Sequence, residues 1–148
     1  MVAIRVGPDM RTVVVGTADY FATHPIPVTP ADLAAHNGVS YRLVGGGGLL
    51  AWEFALDGRA TRVQPGGQLI SNDAALASAT VRAGAALGYM LEEDVAADVA
   101  AGHLIQVLDD WCPTFPGYHL YHPSRQATPA LRALIEALRR NRRIAASG

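Results

Sequence analysis

LISNDAALASATVRAGAALGYM, residues 69–90, changes its repeat in the middle. Leu69-Ile70 closes an apolar run of strand character, three short hydrogen-bonding side chains follow, and an alanine-rich helical stretch covers residues 73–86. Ser71, Asn72 and Asp73 therefore sit at a strand-to-helix switch. An Asn or Asp there satisfies the orphan amides of the first helical turn. A helix N-terminus at such a switch also attracts anions, and in open α/β sheets ligands lie beyond the strand ends. Cap and binding site are both open readings of these three residues. The helix itself is smooth, with alanine at 74, 75, 77, 79, 83, 85 and 86 and serine at 78, so it suits a tight sheet contact or a subunit interface.

Working outward, strands and helices alternate. Residues 2–6 and 12–16 (TVVVG) read as strands, separated by the turn residues Gly7-Pro8-Asp9. Residues 19–24 form a short helix or turn. Thr29-Pro30-Ala31-Asp32 opens a helix through residue 36, with a threonine cap, proline at the first position and an acid in the first turn. Residues 39–44 read as a strand broken by the glycines at 45–48, and 50–54 and 60–63 as a hairpin around Asp57-Gly58. Strands follow at 67–70, 89–90, 103–108 and 118–121, and helices at 92–101 and 127–143; the tail IAASG is expected to fray. This pattern predicts an α/β protein with some antiparallel pairing in its first half.

Composition sets limits on function. The chain has 148 residues, half of them hydrophobic and 17% charged, so it can build a real core and is not of disordered type. A net charge of −1 gives no general pull toward nucleic acid or anionic membrane. All basic residues are arginine. The single cysteine, Cys112, cannot form an internal disulfide and fits a reducing compartment. With no secretory signal pattern and no apolar stretch near the ~20 residues that span a bilayer, the expectation is a soluble cytoplasmic protein without membrane contact.

Motifs for chemistry are weak. His119 and His122 lie three apart on a strand, which points them to opposite faces, and no cysteine or histidine companion has metal-ligand spacing. Cys112 has no sequence-placed base, and no nucleophile elbow occurs. The GGGG run lacks the ending of a phosphate loop, and paired acids at 92–94 and 109–110 sit at element ends, where the helix dipole or solvent accounts for them. The arginines at 139–143 fall at a helix C-terminus, and no helix-turn-helix pattern can be placed. No enzyme, cofactor or metal site is expected.

The order of segments nevertheless resembles the effector-binding (substrate-binding) domain of LysR-type transcriptional regulators. The matching stretches are VAIRVGPDMRTVVVGTADYFATH, P-x-TPADLAAHNGVSYR, WEFALDG, QLISNDAALASATVRAGAALGYMLEEDVAADVAAGHLIQVLDDW and YHLYHPSRQATPALRALIEAL, which cover nearly the whole sequence. The resemblance implies a two-lobed fold like that of periplasmic binding proteins, with a small-molecule effector in the cleft. It implies a second lobe at about residues 7–72, then a return toward the first lobe and a C-terminal helix at about 73–143. Members carry a winged helix-turn-helix, a linker helix and an opening part of the first lobe that this sequence lacks. The expectations are thus an incomplete first lobe and no direct DNA binding by this chain. Leu91 replaces a proline common in relatives, and Gly38 a cysteine.

What the resemblance implies for function is a ligand-sensing regulatory domain that also mediates oligomerisation. The alternative is a stand-alone truncated binding protein that pairs with full-length regulators. The candidate effector contacts are Arg5, Thr17, Tyr41, Arg42, Asn72 and Asp73, with Arg5 or Arg42 suited to a carboxylate. If strands 103–108 and 118–121 both belong to the first lobe, their sheet lacks partners; such open edges predict a homodimer or a marginally stable fragment.

Overall fold

Val13, Val14 and Val15 have no exposed surface, so the strand that carries them must be covered on both faces. The computed structural model, which describes residues 1–123 and 126–146, shows how. In chain order it contains β1 (Val2–Arg5), β2 (Met10–Gly16), α1 (Ala18–Thr23), a 3-10 turn (Pro30–Ala35), β3 (Ser40–Tyr41), β4 (Trp52–Leu56), β5 (Arg59–Val63), β6 (Ile70–Ser71), α2 (Ala74–Arg82), β7 (Gly88–Leu91), α3 (Glu92–Ala100), β8 (Ile105–Val107), a second 3-10 turn (Asp109–Trp111), β9 (Thr114–Phe115), β10 (His119–His122) and α4 (Pro129–Ala146). These elements form two compact units, one of Arg11–Pro113 and one of Met1–Met10 with Thr114–Gly148.

In the larger unit β2 is the central strand. It pairs antiparallel with β7 on one side (Val13 opposite Met90) and with β8 on the other (Val14 opposite Val107). Arg11 at its start is ion-paired with Glu92 of α3, whose carboxylate raises the guanidinium pKa further. The β4–β5 hairpin turns through Asp57 (φ 51°) and Gly58 (φ 76°), the left-handed pair that a two-residue connection requires. Its inner residues Trp52 and Phe54 are buried. Tyr89 of β7 stacks on Trp52 at 5.5 Å, donates its hydroxyl to the Glu53 carbonyl at 3.2 Å and accepts the Glu53 N–H at 3.3 Å. One aromatic residue therefore fixes both the face and the register of the hairpin. Around α1, the Tyr20 hydroxyl lies 2.9 Å from His36 Nδ1 and accepts the Asn37 N–H at 3.1 Å. Burial, with His24 nearby, holds the His36 pKa below its ordinary value.

The smaller unit is an antiparallel ribbon and a helix. β1 pairs with β10, Val2 opposite His122 and Arg5 opposite His119. His119 is exposed and His122 buried, the opposite facing that strand period imposes on residues three apart. Thr128 caps α4 by accepting the Leu131 N–H at 3.2 Å, and Pro129 takes the first helical position. Among the described residues Ile135 is the one buried hydrophobic side chain here.

The compact units divide at residues 10–11 and 113–114, and the lobes at about 7–72 and about 73–143 stay an expectation of the resemblance. The division into units follows strand pairing: β7 and β8 bracket β2, so everything from α2 to Pro113 stays with the preceding strands. For the same reason the strand expected at 103–108 is not stranded without a partner. The helix expected from Thr29 through residue 36 is a 3-10 turn over Pro30–Ala35; the Asp32 carboxylate takes the Val28 and Thr29 N–H groups at 2.9 Å each, and the chain is extended again at His36. Ser124 and Arg125 of the YHLYHPSRQ stretch, and Ser147-Gly148 of the tail, lie outside the described residues.

Candidate functional site

β3 and β6 run parallel, with Ser40 opposite Ile70 and Tyr41 opposite Ser71. The Arg42 N–H donates to the Ser71 carbonyl at 2.9 Å, so Arg42 and Asn72 leave the ladder at the same end. The carboxyl ends of two parallel strands and the start of α2 thus meet at one place. Tyr41, Arg42, Asn72 and Asp73 are all there.

Asp73 is engaged locally. Its N–H donates to Ser71 Oγ at 2.9 Å, and its Oδ1 accepts the Ala75 N–H at 2.8 Å and the Leu76 N–H at 3.3 Å. The amides that make a helix N-terminus attractive to an anion are therefore met by the protein's own carboxylate, and a ligand carboxylate at that spot would meet like charge. Replacing Asp73 by alanine is expected to cost about 1 kcal/mol of stability, with most of it kept in Asp73→Asn. Urea unfolding of the three proteins checks this; an unchanged midpoint in Asp73→Ala would remove the capping role. Arg42 is exposed and, among the described residues, its guanidinium has no side-chain partner. It is the cation available at the strand ends.

The other two candidates are elsewhere. Thr17 caps α1, its Oγ1 accepting the Tyr20 N–H at 3.1 Å, and it packs where a side chain on Gly84 (φ +79°) would sit, 2.9 Å from that Cβ position. Arg5 lies in the smaller unit, where it is ion-paired with Asp9 and donates from Nε to the Gly7 carbonyl at 3.2 Å.

Beside the strand ends a cavity of about 310 Å³ opens between α2 and the strands β3 and β7. It is lined by Val39, Tyr41 and Leu50 on one side, Ala74, Ala77 and Val81 of α2 above, and Gly88–Leu91 with Asp94 below. Of the residues that shape it, Tyr41 was a candidate contact and Ala74 and Ala77 belonged to the smooth helix; the others were not singled out from the sequence, although part of the signal was present. Alanines at 74 and 77 with Val81 follow helical spacing, and such a face leaves space against a sheet unless large residues oppose it. Burial pushes the Cys112 thiol up to about 11, which keeps it protonated, and no group of three potential ligands for a metal occurs among the described residues. No helix among them is long and apolar enough to cross a membrane.

Residues 1–143 match the family model described as LysR substrate binding domain. A Pseudomonas aeruginosa protein is 42% identical over 143 residues, 96% of this chain and 47% of its own length. The HTH-type transcriptional regulator PgrR of Escherichia coli is 35% identical over 140 residues, 94% of this chain and 47% of its own. The chain thus spans about half the length of these relatives. Among solved structures, full-length AphB, the Vibrio cholerae virulence activator of the LTTR family, superposes with a TM-score of 0.77 at 19% identity, over 96% of this chain and 48% of that one. The regulatory domain of CrgA, a LysR-type transcriptional regulator from Neisseria meningitidis, gives 0.70 at 22% identity, over 94% and 68%. Likeness at these identities is one of fold, and the fold is periplasmic-binding-protein-like.

Proposed function

We propose that this chain, which belongs to the LysR substrate binding domain family, senses a small-molecule effector and passes its presence on through contacts with other chains. The observation that supports the reading is the meeting of two parallel strand ends, a helix start and an apolar cavity in the Arg11–Pro113 unit. The effector contacts we propose there are Tyr41, Arg42, Asn72 and Asp73, with Arg42 as the group for a ligand carboxylate. Arg5 and Thr17 stay candidates that would exchange their present hydrogen bonds for a ligand. Self-association, or pairing with a full-length regulator, is the means by which a domain of this kind would act. Direct contact with DNA, with a membrane or with a reaction substrate has no place in this reading.

A thermal-shift screen with small carboxylic and aromatic acids tests it. At least one acid is expected to raise the midpoint, and Arg42→Ala is expected to weaken that acid's binding about tenfold, the effect of losing one charge-assisted hydrogen-bond pair. If no acid raises the midpoint of the folded chain, the effector reading fails for carboxylates. If an acid binds equally well to Arg42→Ala, the site lies elsewhere.

A further inference from the structure

The cavity beneath α2 has a composition that restricts what can enter it. On the helix side it is bounded by Ala77, whose single methyl leaves space against the sheet. On the sheet side Gly88 has no side chain; a Cβ there would lie 2.7 Å from Val81 Cγ2, so the glycine lets Val81 descend and close one end. Tyr89 and Met90 continue the apolar wall. The volume of about 310 Å³ is at the small end of the range in which proteins hold compact ligands.

Asp94 is the single charged residue in the lining. It stands in the first turn of α3, is exposed, and has no side-chain partner among the described residues. The neighbouring Glu92 is already paired with Arg11, and Asp98 with Arg82, so the cations of this surface are used on other acids. The guanidinium of Arg42 is not part of the lining, and the carboxylate nearest the start of α2 is that of Asp73. An apolar chamber whose charged group is an unpaired carboxylate favours an apolar body with a hydrogen-bond donor and disfavours an anion.

We infer that the cavity between Ala77, Gly88 and Tyr89 is a binding site for a compact aromatic or branched molecule bearing a hydroxyl or, best, a protonated amine directed at Asp94. This rests on reading the Arg11–Pro113 unit as effector-binding, and it names a ligand class for the cavity that differs from the carboxylate expected at Arg42.

The test is amide-resolved NMR titration of the whole chain with benzylamine, benzyl alcohol and benzoate as probes. Benzylamine is expected to bind most tightly and to shift the amides of residues 77, 81 and 88–91. Asp94→Asn, a surface change that leaves the fold intact, is expected to weaken benzylamine about tenfold and benzyl alcohol less than about twofold. Ala77→Leu, which fills the chamber, is expected to abolish both. Benzoate binding best, with shifts at residues 41, 42 and 72 that Ala77→Leu leaves in place and Arg42→Ala removes, would overturn the inference while the effector reading stands. Failure of all three probes on a well-dispersed spectrum, with Ala77→Leu more stable than the parent, would show an ordinary packing gap and overturn the inference alone.

Discussion

Replacing Trp52 by alanine is expected to remove about 3–5 kcal/mol of stability, a large fraction of the 5–15 kcal/mol that holds a domain of this size together. Trp52 is 2% exposed, its ring stacks on Tyr89 with 18° between planes, and Phe54 flanks the same tyrosine at 6.0 Å. Truncation leaves a void that the neighbouring backbone cannot close. The hairpin is held there by the two hydrogen bonds between Tyr89 and Glu53, and Gly38 lies directly against the indole, its Cβ position 3.1 Å from it. Trp52→Phe keeps part of the stacking and is expected to lose roughly half as much, since aromatic pairs contribute beyond their buried area. Urea unfolding followed by circular dichroism measures both. With a slope of about 1–3 kcal/mol per molar, the alanine variant should unfold at least ~1 M earlier than the parent. A midpoint that moves by less than ~0.3 M would mean that the hairpin is not part of the cooperative core.

Much of this architecture was legible because the signals are local. Three successive β-branched valines, Val13 to Val15, mark a buried strand, and Asp57-Gly58 marks a two-residue turn, since both depend on the backbone preferences of the residues themselves. Gly84 and Gly102, at φ +79° and +80°, lie just beyond α2 and α3 as helix-stopping glycines do. What was not legible is pairing across sequence distance. That Gly16 lies opposite Ile105 cannot be read from either strand, because the register is set by which faces are buried after collapse. Tyr89 looked like one half of a very short strand, yet it anchors the hairpin through a hydroxyl whose partner is a backbone group 36 residues away.

The candidate site divides along the same line. Ser71, Asn72 and Asp73 were visible as a strand-to-helix switch, and Asp73 does cap α2. Its proximity to Tyr41 and Arg42 depends on a two-residue parallel ladder that no periodicity announces. The cavity had a local signature on α2 only; its other walls come from β3, β7 and α3, which meet α2 only in the folded chain.

That ladder depends on a close backbone approach, which makes Gly67→Ala the second large effect expected. A Cβ on Gly67 would lie 2.1 Å from the Gly38 carbonyl oxygen and 2.9 Å from Asn37 Oδ1. Neither atom is the far end of a flexible chain. Asn37 is pinned through its Nδ2 to the Ala85 carbonyl at 2.8 Å and through its own carbonyl to the Leu87 N–H at 2.8 Å, while the Gly38 N–H donates to Gly66 at 2.8 Å. The two segments must therefore separate. Separation breaks the Gly38–Gly66 hydrogen bond and the Gln68 N–H bond to Asn37 Oδ1, immediately ahead of the point where β3 and β6 pair. Overpacking of this kind together with two lost hydrogen bonds amounts to about 2–5 kcal/mol. Gly66 supplies the control, because a Cβ there meets nothing within 4 Å, and Gly66→Ala should stay within about 0.5 kcal/mol of the parent. The two variants differ by one position and have the same composition, so an equal loss in both would point to the unfolded chain. A large loss confined to Gly67→Ala, accompanied by amide shifts at residues 40–42 and 70–73, would establish that the strand ends carrying the candidate site are held in place from behind.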